Sequence, residues 1–143
     1  MKDMIKRIRE EREGFTLAEL LIVVAIIAVL VAIAIPVFNS QLEKSRDAVT
    51  VANLRTAYAE AQTTYLTGSN SDNATYDKTA NTVAVSGVVA KGKSDGFSGL
   101  EAELPFKTER CDKMGGNAGT YTVTFAYNAA NGAITSVTAD KQQ

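Results

Sequence analysis

The chain has 143 residues, of which 15 are Lys or Arg and 16 are Asp or Glu, giving a formal net charge of −1. This length predicts a single domain, and the balanced charge gives no reason to expect a nucleic-acid partner. The sequence has no histidine and no convincing nucleophile–base set, so we expect no enzyme, no catalytic residues, no metal site and no cofactor. The single cysteine, Cys111, cannot form a disulfide within one chain and is expected to be buried or inert.

The first 14 residues are densely charged, with five basic and four acidic side chains, and an apolar segment follows them. From Leu20 to Ile35 no side chain is polar. A helix over residues 15–38 would be about 36 Å long, enough to cross a bilayer core of about 30 Å. The basic residues before the span favour a cytoplasmic N-terminus.

Two ordinary membrane segments compete for this pattern. A secretory signal peptide should have a shorter apolar core followed by a small-residue cleavage site, and this run is too long. A plain signal anchor leaves Glu19 and Pro36 unexplained. A carboxylate inside an apolar segment is costly unless it lies at the membrane edge or has a partner. Pro36 has no N–H to donate to the carbonyl of Ala32, which predicts a weakened or kinked helix there.

The heptapeptide GFTLAEL at residues 14–20, followed by the apolar run and Pro36, resembles the class III signal of type IV pilins, the type IVa group in particular, and of pseudopilins. The resemblance implies that a prepilin peptidase cuts between Gly14 and Phe15 and methylates the new amine of Phe15. Glu19 would then act in assembly and register, since its carboxylate can pair with the Phe15 amine of a neighbouring subunit. The alternative for Glu19 is a side chain that simply snorkels at the membrane edge.

Past the span, residues 39–67 contain no glycine or proline and are predicted to continue the helix, with Gly68 as its C-cap. Apolar residues recur there at spacings of three and four, which predicts one buried face: Val51, Leu54, Tyr58, Ala61 and Tyr65. Polar residues are predicted to lie off that face: Asp47, Arg55, Glu60 and Gln62.

The remaining residues predict a small β-sheet. Residues 69–80 are interpreted as a polar loop, without the spacing of a calcium-binding loop. Thr82–Ala90 is a candidate strand interrupted at Gly87, and residues 99–104 a short turn or helix. Thr120–Tyr127 alternates, with four aromatic or aliphatic residues on one face, and residues 128–132 and 133–139 follow as turn and return strand. We expect this hairpin to cover the apolar face of the helix, in a sheet of about three strands.

One motif resembles a nucleotide-binding loop but lacks the elements that such a loop needs around it. Residues 87–94 match the P-loop pattern G-x-x-x-x-G-K-S, but a P-loop needs a helix after its serine, and DGFSGL is no amphipathic helix.

The predicted fold is α+β, with a long N-terminal helix packed on a small antiparallel sheet. We expect a cleaved leader (1–14), an apolar helix for the membrane and filament core (15–38), its amphipathic continuation (39–67) and a globular head (68–143). The resemblance implies the structural subunit of a type IV pilus, a homopolymer serving adhesion or motility, with prepilin peptidase and a pilus assembly platform as partners. It would lie in the cytoplasmic membrane before assembly and in an extracellular filament afterwards. The alternatives are a pseudopilin of a type II secretion or competence system, and a monomeric membrane-anchored binding domain.

Overall fold

The computed structural model describes residues 2–5, 7, 14–92, 95–107, 114 and 117–143, apart from the side chains at 95 and 96. Its elements, in chain order, are one long helix and four strands with a 3₁₀ helix between β2 and β3: α1 (Leu17–Thr67), β1 (Ala74–Asp77), β2 (Thr82–Ala90), the 3₁₀ helix (Asp95–Glu103), β3 (Gly119–Tyr127) and β4 (Ile134–Lys141). All strand pairs are antiparallel, in the order β1-β2-β3-β4. The predicted α+β class is confirmed.

The chain forms two compact units, residues 1–39 and 40–143. In the first, α1 is exposed along the whole apolar run, and no large apolar side chain from Leu20 to Phe38 is less than 47 % exposed. The helix is long and apolar enough to cross a membrane. Because water cannot solvate such a surface favourably, this unit needs a membrane or a protein partner around it.

The second unit packs one face of α1 against the sheet. Val51, Leu54 and Ala61 are buried, and Tyr58 and Tyr65 pack half-buried beside them, which confirms the predicted apolar face. The helix ends at Gly68, whose φ of 67° is left-handed and whose N–H donates to the carbonyl of Thr64 at 2.9 Å. This is the αL cap that glycine favours, so the predicted C-cap is also confirmed.

The prediction that Asp47 lies off the buried face is wrong. Asp47 is 1 % exposed and accepts a hydrogen bond from Ser98. Its position, four residues before Val51, places it on the same face of the helix as the apolar residues. The spacing of Asp47 was compatible with the buried face. Its charge nevertheless predicted exposure, because the sequence did not reveal the polar partner that makes burial of this carboxylate possible.

The sheet has four strands because residues 69–80 are not wholly a loop. β1 pairs with β2 in that segment, from Ala74 opposite Val85 to Asp77 opposite Thr82. Only Ala74 is buried in this edge strand, so the sequence lacks the apolar alternation by which a strand is recognised. The interruption predicted in β2 is confirmed as a register shift between Val85 and Val88.

The C-terminal hairpin follows the predicted alternation. Tyr121, Val123, Phe125 and Tyr127 are all buried in β3, and β4 pairs with it back from Ile134 to Lys141. The turn is closed by the N–H of Asn128 on the carbonyl of Ala133, at 2.8 Å.

Aromatic rings join the hairpin to α1. Tyr65 stacks on Tyr127 with ring centroids 4.0 Å apart and an interplanar angle of 7°. Phe125 meets Tyr58 edge-on at 6.3 Å and Phe106 at 5.4 Å. Such pairs stabilise by about 0.5–1.5 kcal/mol beyond the area they bury. These contacts confirm that the hairpin covers the apolar face of the helix.

The Tyr127 hydroxyl gives a prediction about alkaline pH. It is buried without a hydrogen-bond partner, and burial, with smaller contributions from Tyr58 and Tyr65, raises the pKa of Tyr127 to about 12. The folded-state pKa lies above the unfolded value of about 10, so the folded protein favours the neutral form of Tyr127. The contribution of this neutral form to the free energy of unfolding is complete below pH 10 and is lost as the pH rises to 12. Between pH 10 and pH 12 we expect the free energy of unfolding to fall by about 2–3 kcal/mol less in Tyr127→Phe than in the wild type.

The measurement is thermal unfolding of the detergent-solubilised chain between pH 8 and pH 12, followed by tyrosine circular dichroism. Tyr121→Phe is the comparison at neutral pH, because the Tyr121 hydroxyl donates to the carbonyl of Asn117 at 2.7 Å. Burial also raises the pKa of Tyr121, so this variant is not a control for the alkaline loss. At neutral pH, the free energy of unfolding should fall by about 1 kcal/mol in Tyr121→Phe and should not fall in Tyr127→Phe. An unchanged alkaline loss in Tyr127→Phe would contradict the assignment.

Candidate functional site

The first turn of α1 is closed by two reciprocal hydrogen bonds between Thr16 and Glu19. The N–H of Glu19 donates to Thr16 Oγ1 at 3.2 Å, and the N–H of Thr16 donates to Glu19 Oε2 at 3.0 Å. This is a capping box, which satisfies two backbone donors that a helix N-terminus leaves free. The spacing T-x-x-E at residues 16–19 is its sequence signature, so sequence reasoning could have found Thr16 and did not.

Gly14 and Phe15 come directly before the helix and have no regular secondary structure. The Phe15 side chain is 84 % exposed, and a Cβ placed on Gly14 would meet no atom within 4 Å. The peptide bond between them therefore lies in an open, exposed segment of the chain.

Glu19 is exposed and uses one carboxylate oxygen in the capping box. A carboxylate offers about four lone-pair sites, so a second donor can bind it without breaking the cap. Its place in the first helical turn is also favourable, because the helix dipole attracts negative charge there. The Glu19 side chain is thus held at the N-terminus of α1 and can still bind a cation.

Pro36 lies inside α1, which remains α-helical from Leu17 to Thr67. The predicted weakening of the helix at Pro36 stays a prediction. The carbonyl of Ala32 has no proline N–H to accept, which is the physical basis for it.

The P-loop-like segment is engaged elsewhere. The N–H groups of Lys91 and Gly92 donate to Thr50 Oγ1 at 3.0 and 3.4 Å, so they point at a helix side chain rather than at an open phosphate site. Lys93 and Ser94 lie outside the described residues, as does Cys111. Within the described ranges, no three His, Cys, Asp or Glu side chains are placed to hold a metal ion.

A second polar cluster surrounds Asp47, and the sequence did not predict it. Besides the hydrogen bond from Ser98, Asp47 packs against Gly92, where any Cβ would overlap its carboxylate. Ser98 and its neighbour Phe97 have left-handed φ values of 54° and 50°, which cost energy for side chains with a Cβ. The Asp47–Ser98 hydrogen bond therefore holds a strained turn against α1.

Comparison with known protein families gives a match at the N-terminal end of the chain. Residues 11–35 match the family model described as Prokaryotic N-terminal methylation motif. No curated protein and no solved structure matches the chain. The matched residues contain the exposed Gly14–Phe15 bond, the capping box and most of the apolar run. The chain therefore carries, on a long apolar helix, the N-terminal methylation signature of type IV pilins and pseudopilins.

Proposed function

We propose that this chain is the structural subunit of a type IV pilus, cut by a prepilin peptidase and polymerised through its N-terminal helix. The observation that carries the proposal is the apolar part of α1, which is exposed on every side and lies mostly within the matched methylation motif. Proteins with this motif are structural and not enzymes. A surface of this kind is stable in a bilayer or inside a bundle of like helices, and a pilus subunit uses both in turn.

Processing concerns the bond between Gly14 and Phe15. Its exposure, and the absence of a side chain on Gly14, support access by a peptidase. Cleavage removes residues 1–14, whose basic side chains favour the cytoplasmic side of the membrane. It also creates a new amine at Phe15, which the same enzyme would methylate.

Glu19 is proposed as the partner of that amine. An ammonium group and a carboxylate in an apolar region each carry a desolvation cost, and pairing them across two subunits relieves both. The capping box supports this role, because it holds Glu19 in the first turn of the helix with one carboxylate oxygen uncommitted. The pair would also fix the axial register of neighbouring subunits.

The rest of the chain follows from that arrangement. The apolar helix up to residue 38 would first hold the subunit in the cytoplasmic membrane and later form the filament core. Residues 39–67 would continue the helix outside, and residues 68–143 would form the head at the filament surface. Identical subunits, the prepilin peptidase and a pilus assembly platform are the partners this requires.

Mass spectrometry of the mature N-terminus tests the proposal. Surface fibres sheared from cells that carry the chain and an assembly system should contain a subunit beginning at methylated Phe15. Gly14→Val should leave an intact precursor in the membrane and no fibres, because a branched residue hinders the cut, whereas Gly14→Ala should be processed at least partly. An intact N-terminus in the wild-type membrane fraction, with no fibres, would instead indicate an anchored monomer.

A further inference from the structure

The turn between β3 and β4 contains an exposed asparagine, Asn131, that is directly followed by Gly132. Asn131 is the one asparagine in the sequence that precedes a glycine. In such a pair the backbone nitrogen of the glycine can attack the side-chain amide carbon of the asparagine, because glycine has no Cβ to hinder the approach. The geometry of the turn decides whether that attack can occur in the folded chain.

The Asn131 side chain is folded over the Gly132 peptide. The N–H of Ala133 donates to Asn131 Oδ1 at 3.0 Å, which closes an Asx turn around the intervening residue. An Asx turn copies a backbone turn with the side-chain carbonyl in place of a main-chain one, so the amide carbon Cγ is held beside the Gly132 nitrogen. The same hydrogen bond would stabilise the negative charge that an attack on Cγ places on Oδ1.

A second hydrogen bond acts against the attack and slows it. The N–H of Gly132 donates to the carbonyl of Asn128 at 2.8 Å, and the nitrogen must lose this proton before it can act as a nucleophile. Asn128, Asn131 and Ala133 are all exposed, so water can compete for this hydrogen bond whenever the turn opens locally. The folded turn therefore permits a slow reaction.

We propose that Asn131 is a modification site at which the chain deamidates without an enzyme. The Gly132 nitrogen gives up its proton to water and forms a bond to Cγ of Asn131. The bond from Cγ to Nδ2 breaks, Nδ2 takes up a proton, and ammonia leaves behind a succinimide ring. Water then opens the ring at one of its two carbonyl groups, giving aspartate or isoaspartate at position 131. No group is oxidised or reduced, and water is the co-reactant.

Asn128, in the same turn, is a built-in comparison. Its Oδ1 accepts the N–H of Ala130 at 2.8 Å, so a similar Asx turn holds its amide carbon beside the next nitrogen. Asn128 is also exposed, but alanine follows it, and the methyl group of Ala129 crowds the attacking nitrogen. The two asparagines thus share their exposure and their side-chain hydrogen bond and differ in the residue that follows.

The two products would affect the hairpin differently. Aspartate keeps an oxygen that can accept the N–H of Ala133, so the turn can persist. Isoaspartate lengthens the main chain inside a loop that the N–H of Asn128 closes on the carbonyl of Ala133 at 2.8 Å. Gly132 lies against the Tyr65 ring, since a Cβ on Gly132 would be 3.6 Å from Tyr65 Cε1. A lengthened loop would therefore also loosen the contact between the turn and α1.

Either product adds one negative charge to a chain whose formal net charge is −1. In a fibre of many identical copies, the surface would become more acidic as its subunits age. This consequence rests on the proposed function, whereas the reaction itself needs only the folded chain and water.

Peptide mapping by mass spectrometry tests the reaction on the full-length chain, purified in detergent and kept folded in warm neutral buffer for several weeks. Deamidation replaces an amide NH2 with OH, which changes the mass of the peptide, and isoaspartate gives a separate chromatographic peak. We expect Asn131 to deamidate at least about tenfold faster than Asn128, because the alanine methyl group hinders ring closure. Equal rates at the two positions, or an unreacted Asn131, would overturn the proposal.

Ala129→Gly tests the assignment by creating a second reactive pair. Ala129 is exposed, so glycine is accommodated there, and Asn128 should then deamidate at a rate close to that of Asn131. Asn131→Gln is the matched loss, since its longer side chain would have to close a larger ring, and position 131 should stay unmodified. An unreactive Asn128 in Ala129→Gly would count against the proposal.

Fibres sheared from cells test the consequence for the filament. Their subunits should carry a larger deamidated fraction at position 131 than the younger subunits in the membrane. If no fibres form, the pilus function fails while the result on the purified chain still decides the modification.

Discussion

Glu19→Gln is expected to give a subunit that enters the membrane and is processed at Phe15 but forms no fibres. Glutamine at this position can still accept a hydrogen bond from the N–H of Thr16, so the capping box survives. Only the negative charge is lost. The Phe15 ammonium of the neighbouring subunit would then enter an apolar core without a counter-ion, at a cost of roughly 2.5–3.5 kcal/mol per subunit on insertion scales.

A cost of this size repeats at every added subunit. Because about 1.4 kcal/mol is a factor of ten in an equilibrium constant, each addition step would weaken by roughly two orders of magnitude. The measurement is the amount of pilin in sheared fibres relative to processed pilin in the membrane, by immunoblot, with the N-terminus checked by mass spectrometry.

Thr16→Val is the control that separates charge from capping. It removes the hydroxyl that accepts the N–H of Glu19 at 3.2 Å and leaves the carboxylate in place. Losing a cap costs about 0.5–2 kcal/mol of helix stability, which a long helix in a membrane can tolerate. We therefore expect fibres from Thr16→Val. Wild-type fibre yield from Glu19→Gln would show that Glu19 acts only as a cap or at the membrane edge.

The long helix and the hairpin were readable from sequence because local pattern and tertiary role agree in them. Between residues 39 and 67 no glycine or proline interrupts the helix, and its apolar period is the one that buries Leu54 and Ala61. In β3 each inward residue from Tyr121 to Tyr127 is apolar or aromatic, so period two is unbroken.

β1 and Asp47 were not predicted, for a shared physical reason. Both are stabilised by contacts distant in sequence: Ala74 pairs with Val85 across the sheet, and Asp47 accepts from Ser98, 51 residues later. Their own residue types indicate loop and solvent. A short polar edge strand and a buried carboxylate acquire their places from partners that no local window contains.

At the candidate site, the sequence predicted which residues matter, and the structure showed how one of them, Glu19, is hydrogen-bonded. The motif at residues 14–20 located the site, and the structure added the capping box. The proposed pairing of Glu19 with Phe15 joins two subunits and follows the removal of residues 1–14, so a single precursor chain does not display it.

Gly92→Ala is expected to destabilise the 40–143 unit by about 1–3 kcal/mol or more, although the change adds only one methyl group. The position has no special backbone requirement; its constraint is space. A Cβ at residue 92 would overlap the Asp47 carboxylate and come within 3.3 Å of the Asp47 Cα. Asp47 cannot simply turn away, because it is 1 % exposed and its carboxylate accepts the Ser98 hydroxyl. Thermal unfolding of the detergent-solubilised chain measures the change.

A double-mutant cycle identifies the cause. Asp47→Ala alone should cost about 1.5–3 kcal/mol, because it removes a hydrogen bond to a charged group and frees the strained turn at Ser98. It also vacates the space that a methyl group on residue 92 needs. Gly92→Ala should therefore cost much less in the Asp47→Ala background, giving a coupling of about 0.5–3 kcal/mol between the two positions. Additive costs would mean that Gly92 is constrained by something other than Asp47.

Gly87→Ala is a useful comparison, since a Cβ there meets no atom within 4 Å and any cost arises from its left-handed φ of 75°. That cost should be unaffected by Asp47→Ala, because the two residues share no contact that a methyl group would change.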